Sequence, residues 1–253
     1  MRAALIPPKG YEDYALNSNI HLVLPLPPLI QNMKYLDVYQ RAQRRGDFVI
    51  LDNGCAEGQL VTGHHLLNVA RAIRAHEIVA PDVMGDAAAT LTATTDFIYD
   101  YPESHNYNIM AVLQGEDPEE RDYLLKQFAK LDPITTIGVP KVHVTKRGSI
   151  VRKDIIRMIH RTFPGRFHIH LLGLNSAFPT EIRDVAFHRA GPIRSMDSTQ
   201  PFKVTEERYD LELEAWAPRR DDYFTMKKEV DARALIKNIN IFKGWAEKHD
   251  RES

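Results

Sequence analysis

The sequence predicts a single TIM-like (β/α)8 barrel, and three observations predict it. Short apolar strands alternate with helices, each unit beginning roughly 25–35 residues after the last, which is the rhythm of a parallel sheet with right-handed crossovers. The chain has 253 residues, close to the usual size of one such barrel. A doubly wound open sheet would announce itself by a glycine-rich phosphate loop after the first strand, and neither GxGxxG nor GxxxxGKS/T occurs.

Taken in order, residues 1–19 hold prolines, a glycine and two tyrosines without a clear period, and read as an extended leader on one barrel end. Residues 21–26 form the first strand candidate, closed by Pro25, Pro27 and Pro28. Leu36, Val38, Tyr39 and Ala42 then recur at helical spacing up to Gly46. The second strand is 48–51, and Thr62 caps a helix carrying Leu66, Leu67, Val69, Ala70 and Ile73. The third strand, 77–80, stops at Pro81, and Asp86 opens an alanine- and threonine-rich helix to about Tyr99.

The fourth strand is 108–113. Asp117-Pro118-Glu119-Glu120 then combines a capping Asp, a proline at the first helical position and acids in the first turn. The fifth strand is 134–139, followed by a helix over about 149–162; the sixth is 167–172, with a helix from Pro179 to about His188; the seventh is 193–196. Strand eight is the open element, with 209–216 and 223–226 as its candidates. Residues 228–248 form a C-terminal amphipathic helix with Val230, Leu235, Ile239, Phe242 and Trp245 on its apolar side. With no long linker, low-complexity tract or short repeat, residues 1–253 read as one domain.

Composition narrows the class. A hydrophobic fraction of 43% supplies a sizeable core, and 26% charged residues is ordinary for a soluble protein. No run is long enough for a membrane span and the proline-broken start is no signal peptide, so a cytoplasmic protein is the simplest reading. Cys55 is the single cysteine, which excludes an internal disulfide and a multi-cysteine zinc site. The formal net charge of -1 gives no global attraction to nucleic acid. Local basic clusters exist, and the run Lys141, Lys146, Arg147, Arg152 and Lys153 is the least offset by acids.

Chemistry concentrates at the strand ends, where barrels build their sites. Ile193-Arg194-Ser195-Met196-Asp197 and Phe48-Val49-Ile50-Leu51-Asp52 each close on a carboxylate; a third run closes on Asp82 and a fourth on Gln114. A single such Asp is more often a turn residue or a helix cap; four together point to one site. Asp52 and Asp197 offer a nucleophile and a proton shuttle, a pairing suited to an anomeric carbon. Asp82 and Gln114 can read the hydrogen-bonding edge of a planar heterocycle. Gly54, Gly115, Gly138 and Gly173 would let backbone approach a flat ligand, with turn geometry as the equal alternative. His168 and His170 share a strand face; with no third ligand nearby they read as residues packing or bonding within the barrel rather than as metal ligands.

These motifs resemble, in order and spacing, those of the queuine/archaeosine tRNA-guanine transglycosylases and their DNA-acting 7-deazaguanine relatives. Asp52-Asn53-Gly54 is similar to the family's Asp-Ser-Gly-Gly-Phe, Val112-Leu113-Gln114-Gly115 to its Val-Gln-Gly, and Ile137-Gly138-Val139 to its Ala-Val-Gly. Leu171-Leu172-Gly173-Leu174 resembles Leu-Met-Gly-Val, and Met196-Asp197-Ser198 resembles Phe-Asp-Cys. The resemblance implies Asp197 as covalent nucleophile and Asp52 as general acid/base. It implies Asp82, Gln114, Gly115, Gly138, Gly173 and Asn53 around the base. Asn53 and Cys55 depart from the first motif, and one cysteine cannot build the zinc site of the longer tRNA enzymes.

That loss favours the compact DNA-modifying branch, often found in phage or modification islands and acting in the host cytoplasm. The implied partners are DNA ahead of tRNA and a free 7-deazaguanine base such as 7-cyano-7-deazaguanine; no cofactor or metal is expected. Lys141, Lys146 and Arg147 are the candidate phosphate contacts, with plain rim residues as the alternative. Two rival functions stand beside this one: a barrel hydrolase or lyase on a small glycoside or nucleoside, and a non-catalytic subunit that binds a partner enzyme. Which deazaguanine, which target sequence and what oligomeric state are not written in the residues.

Overall fold

The computed structural model describes residues 1–59, 61–141, 151–173, 192–213, 223–225 and 229–252. Eight parallel strands run β1 (Arg2–Leu5), β2 (Ile20–Val23), β3 (Phe48–Leu51), β4 (Glu77–Val79), β5 (Asn108–Val112), β6 (Ile134–Pro140), β7 (His168–Leu172) and β8 (Ser195–Ser198). Hydrogen bonding follows the order β1-β8-β7-β6-β5-β4-β3-β2, so the strands stand side by side in chain order. The ring is the TIM (β/α)8 barrel that the rhythm of the sequence predicts. At the β1–β2 seam the Ser18 hydroxyl donates to the Ala3 carbonyl over 2.6 Å, tying the two strands where no ladder joins them.

This arrangement corrects the expected leader. Residues 1–19 contain a full stave of the barrel followed by a 3-10 helix, Glu12–Asn17. Arg2, Ala3, Ala4 and Leu5 pair with Ser195, Met196, Asp197 and Ser198. The missing strand therefore lies at the start of the chain, and the strand read as seventh is β8. Both late candidates fall away: Leu211–Leu213 and Tyr223–Thr225 are 3-10 turns, 209–210 are not in a strand, and 214–216 and 226 lie outside the described residues. The C-terminal helix runs Ala232–Glu252 rather than 228–248, because the Asp231 carboxylate accepts from the Arg233 and Ala234 amides and starts it there.

The helix starts read from sequence hold at Thr62, Asp86 and Asp117, whose side chains accept from the His65, Ala89 and Glu120 amides. Glu120 also reaches back to the Glu116 amide at 2.8 Å, so two orphan amide groups are satisfied at that terminus. The helix after β6, Val151–Thr162, agrees with expectation, while the one expected from Pro179 lies outside the described residues. Among the described residues no helix is long and apolar enough to cross a membrane.

Near the amino ends of the strands the barrel interior is polar. Arg194 grips both carboxylate oxygens of Glu77 at 2.7 Å, and Thr136 donates to the same carboxylate at 2.8 Å. The Glu77 side chain is 0% exposed and that of Arg194 11%. Removing one partner of such a pair strands the other charge in the interior. Glu77→Ala should therefore cost about 3–5 kcal/mol, read as a lower urea midpoint.

Candidate active site

A cavity of about 630 Å³ opens over the carboxyl ends of the strands. Asp52 follows β3, Asp82 and Gln114 follow β4 and β5, and Asp197 lies inside β8; all four line this one cavity. Ser195 and Asp197, two apart on β8, share the inward face, since both contact His170 of β7. Leu22, Leu24, Val79, Val112 and Leu172 supply apolar walls. Asn53, Gly173 and Lys141 also line the cavity, whereas Gly115 and Gly138 do not. Lys146 and Arg147 lie outside the described residues.

The two principal carboxylates occupy different surroundings. Asp197 is 4% exposed, and its Oδ1 accepts from the Gly173 amide at 2.9 Å and meets His170 Nε2 at 3.1 Å. Asp52 accepts from the Asn53 amide at 2.8 Å and keeps some exposure to the cavity. Protein still surrounds Asp52 closely. Burial first, then the charges of Glu57, Asp197 and Asp82, hold its carboxyl well above the usual range. Neutral pH therefore favours its protonated form more than that of an ordinary Asp.

Asp82 belongs to a fixed network. It accepts from Asn53 at 2.6 Å and from Gln114 at 2.5 Å, while Gln114 Oε1 accepts from the Gly85 amide at 3.0 Å. Burial raises its pKa against the lowering effect of these bonds. Each of Asp82 and Gln114 has further lone pairs or a second amide proton for a ligand edge. Asn53 keeps less: both its amide protons go to Ala80 and Asp82, and its carbonyl accepts from the Cys55 amide, which leaves one lone pair. It staples the loops after β3 and β4 while it lines the cavity where the resemblance expects a base contact. Cys55 donates its thiol to the Asp82 carbonyl, and burial pushes that thiol up to about 11, so it is no ready nucleophile.

The glycines sort by geometry. Gly173 has φ 63 and brings its amide to Asp197. Gly115, with φ 122, is backed by Glu120 and Arg121 and belongs to a helix start. Gly138 serves packing: a Cβ there would meet Leu172 Cδ1 at 2.7 Å and Met110 Sδ at 3.1 Å. Gly138→Ala should push Leu172 toward the cavity and cost about 1–3 kcal/mol, measurable by urea denaturation.

Two residues escaped assignment from sequence. Arg152, counted there within a basic run, is 0% exposed and donates to the carbonyls of Val139, Leu172 and Gly173. It clamps the turn that aims the Gly173 amide. His170, read from sequence as bonding within the barrel, contacts the candidate nucleophile. Strand parity paired it with His168, which the structure leaves exposed at the start of β7, and parity does not name a partner. Among the described residues no group of three His, Cys, Asp or Glu side chains is disposed to hold a metal.

No model of a protein family matches the chain, and no curated protein matches it significantly. Solved structures do. The YdjI aldolase of Escherichia coli K12 is 9% identical with a TM-score of 0.55, covering 98% of this chain and 87% of its own. The putative copper homeostasis protein CutC of Streptococcus agalactiae is 9% identical with a TM-score of 0.50, covering 79% of this chain and 98% of its own. At such identity the likeness is one of fold.

Proposed function

We propose that this barrel is a glycosyltransferase that exchanges guanine in nucleic acid, DNA ahead of tRNA, for a 7-deazaguanine base. The observation that carries the reading is the pair Asp52 and Asp197 on one cavity, with burial and neighbouring acids holding Asp52 toward its protonated form. Two carboxyl groups with unlike surroundings suit unlike roles.

In this reading an Asp197 oxygen attacks C1′ of the target nucleoside, the C1′–N9 bond breaks, and Asp52 gives its proton to the departing guanine. The ester of Asp197 then holds the sugar. The carboxylate of Asp52 takes the N9 proton of the incoming deazaguanine, whose nitrogen attacks C1′ and frees Asp197. Asp82 and Gln114, which line the cavity together with Val79 and Val112, would bond the edge of the heterocycle. A base inside a duplex cannot reach such a cavity, so the target is flipped or single-stranded. Lys141, exposed and lining the cavity, is a candidate to meet a phosphate in this reading.

The test is nucleoside mass spectrometry of DNA and of tRNA after incubation with the purified chain and 7-cyano-7-deazaguanine. Deazaguanine nucleoside in the DNA digest is the expected result. Modification of neither polymer, with cleavage of free nucleosides or glycosides, would move the site to the small-molecule hydrolase reading. Modification that needs an added second protein would point to the subunit reading.

A further inference from the structure

The interior of the barrel carries a connected line of polar groups from its amino end to the candidate nucleophile. Arg194, fixed bidentately on Glu77, also donates Nε–H to Ser195 Oγ at 3.2 Å. Ser195 Oγ meets His170 Nδ1 at 2.7 Å, and His170 Nε2 meets Asp197 Oδ1 at 3.1 Å. Ser195 and His170 are both 0% exposed, out of contact with bulk solvent.

Hydrogen-bond direction along it follows from chemistry. A guanidinium has only donors, so the Ser195 oxygen accepts from Arg194 and its own proton is free to point elsewhere. At the other end of the ring the Asp197 carboxylate has only acceptors, so Nε2 must carry the hydrogen of the neutral ring, and Nδ1, left bare, accepts from the Ser195 hydroxyl. The ring proton therefore sits on Nε2 and is donated to Asp197 Oδ1. Gly173 donates to the same oxygen, and Oδ2 makes no hydrogen bond within the described residues.

We propose that His170 is a positioning residue for Asp197. Its Nε2–H, kept on that nitrogen by the acceptor-only carboxylate with the Ser195 hydroxyl behind the ring, holds Oδ1 together with the Gly173 amide and leaves Oδ2 to face the reacting carbon. Its effect on catalysis rests on the base-exchange reading, whereas the tautomer does not.

Two measurements on the full chain separate these. In protein labelled with 15N-histidine, long-range proton–nitrogen spectra assigned with His170→Gln should show neutral His170 protonated at Nε2 and bare at Nδ1. Ser195→Ala, which removes the donor to Nδ1, should shift the Nδ1 signal, and Asp197→Asn should shift the Nε2 signal. A proton on Nδ1, or spectra indifferent to both substitutions, overturns the proposal even if no exchange activity exists. In exchange assays His170→Leu should lose about 10–100-fold in kcat with KM little changed. His170→Gln, whose amide nitrogen can stand near Nε2, should recover most of that loss. Equal kcat in wild type and His170→Leu would remove His170 from the mechanism. Should His170→Leu not fold, the glutamine and Ser195→Ala variants still decide. A wild type with no base exchange but the Nε2 tautomer sinks the function and keeps the hydrogen-bond assignment.

Discussion

Asp197→Ala is expected to lose base exchange by on the order of 10⁴-fold or more, together with any covalent protein–nucleic acid adduct. The size follows from the role proposed for the residue: without the carboxylate no ester would form at C1′, and no other described acid shares its position. Asp197 sits within β8, its Oδ1 held by Gly173 and His170, so the side chain is aimed by three strands' worth of structure. Wild-type and variant chains incubated with labelled deazaguanine and DNA give the comparison. Label entering DNA with the alanine variant would remove Asp197 from the nucleophile's place.

Asp52→Asn is expected to act on two quantities in opposite directions. Exchange should fall by about 10²–10⁴-fold, because in the proposed reaction the leaving guanine loses its proton donor. Stability at neutral pH should rise. Burial and the charges of Glu57, Asp197 and Asp82 raise the folded-state pKa of Asp52 above its unfolded value. A group raised in this way binds its proton more tightly in the folded chain. Below the ordinary Asp range it is protonated in both states and costs nothing. As pH climbs past that range the unfolded chain ionises first, and stability falls until the folded group also ionises. Asparagine removes that loss and keeps a carbonyl for the Asn53 amide. Each pKa unit removed is about 1.4 kcal/mol, and each kcal/mol is roughly 2–4 °C in Tm for a chain of this size. The gain should shrink toward nothing near pH 3, and a variant with a lower Tm than wild type at pH 7 would contradict the assignment.

The acids at the strand ends were legible because their signal is local: an apolar run of strand length, then a carboxylate or carboxamide. Their meeting on one cavity follows once the strands form a ring. β1 was illegible for the opposite reason. Arg2-Ala3-Ala4-Leu5 has little strand propensity, and its extended state comes from pairing with β8. Without it the ring seemed one stave short at its far end. Asn53 and Gly138 were visible as residues of interest, but their roles depend on neighbours in other units, the Asp82 carboxylate and the Leu172 side chain. Arg152 shows the limit of charge counting, since a buried guanidinium bound to three carbonyls looks in sequence like any surface base.

The pairing of β1 with β8 also couples assembly to competence. Ala4 stands beside Asp197 in that ladder, about 190 residues apart along the chain, so the contact belongs to the slow, non-local class. If Asp197 attacks as proposed, a nascent polypeptide that ends before β8 carries Asp52, Asp82 and Gln114 and yet no attacking group. Sealing the last stave against the first would then be the step that arms it.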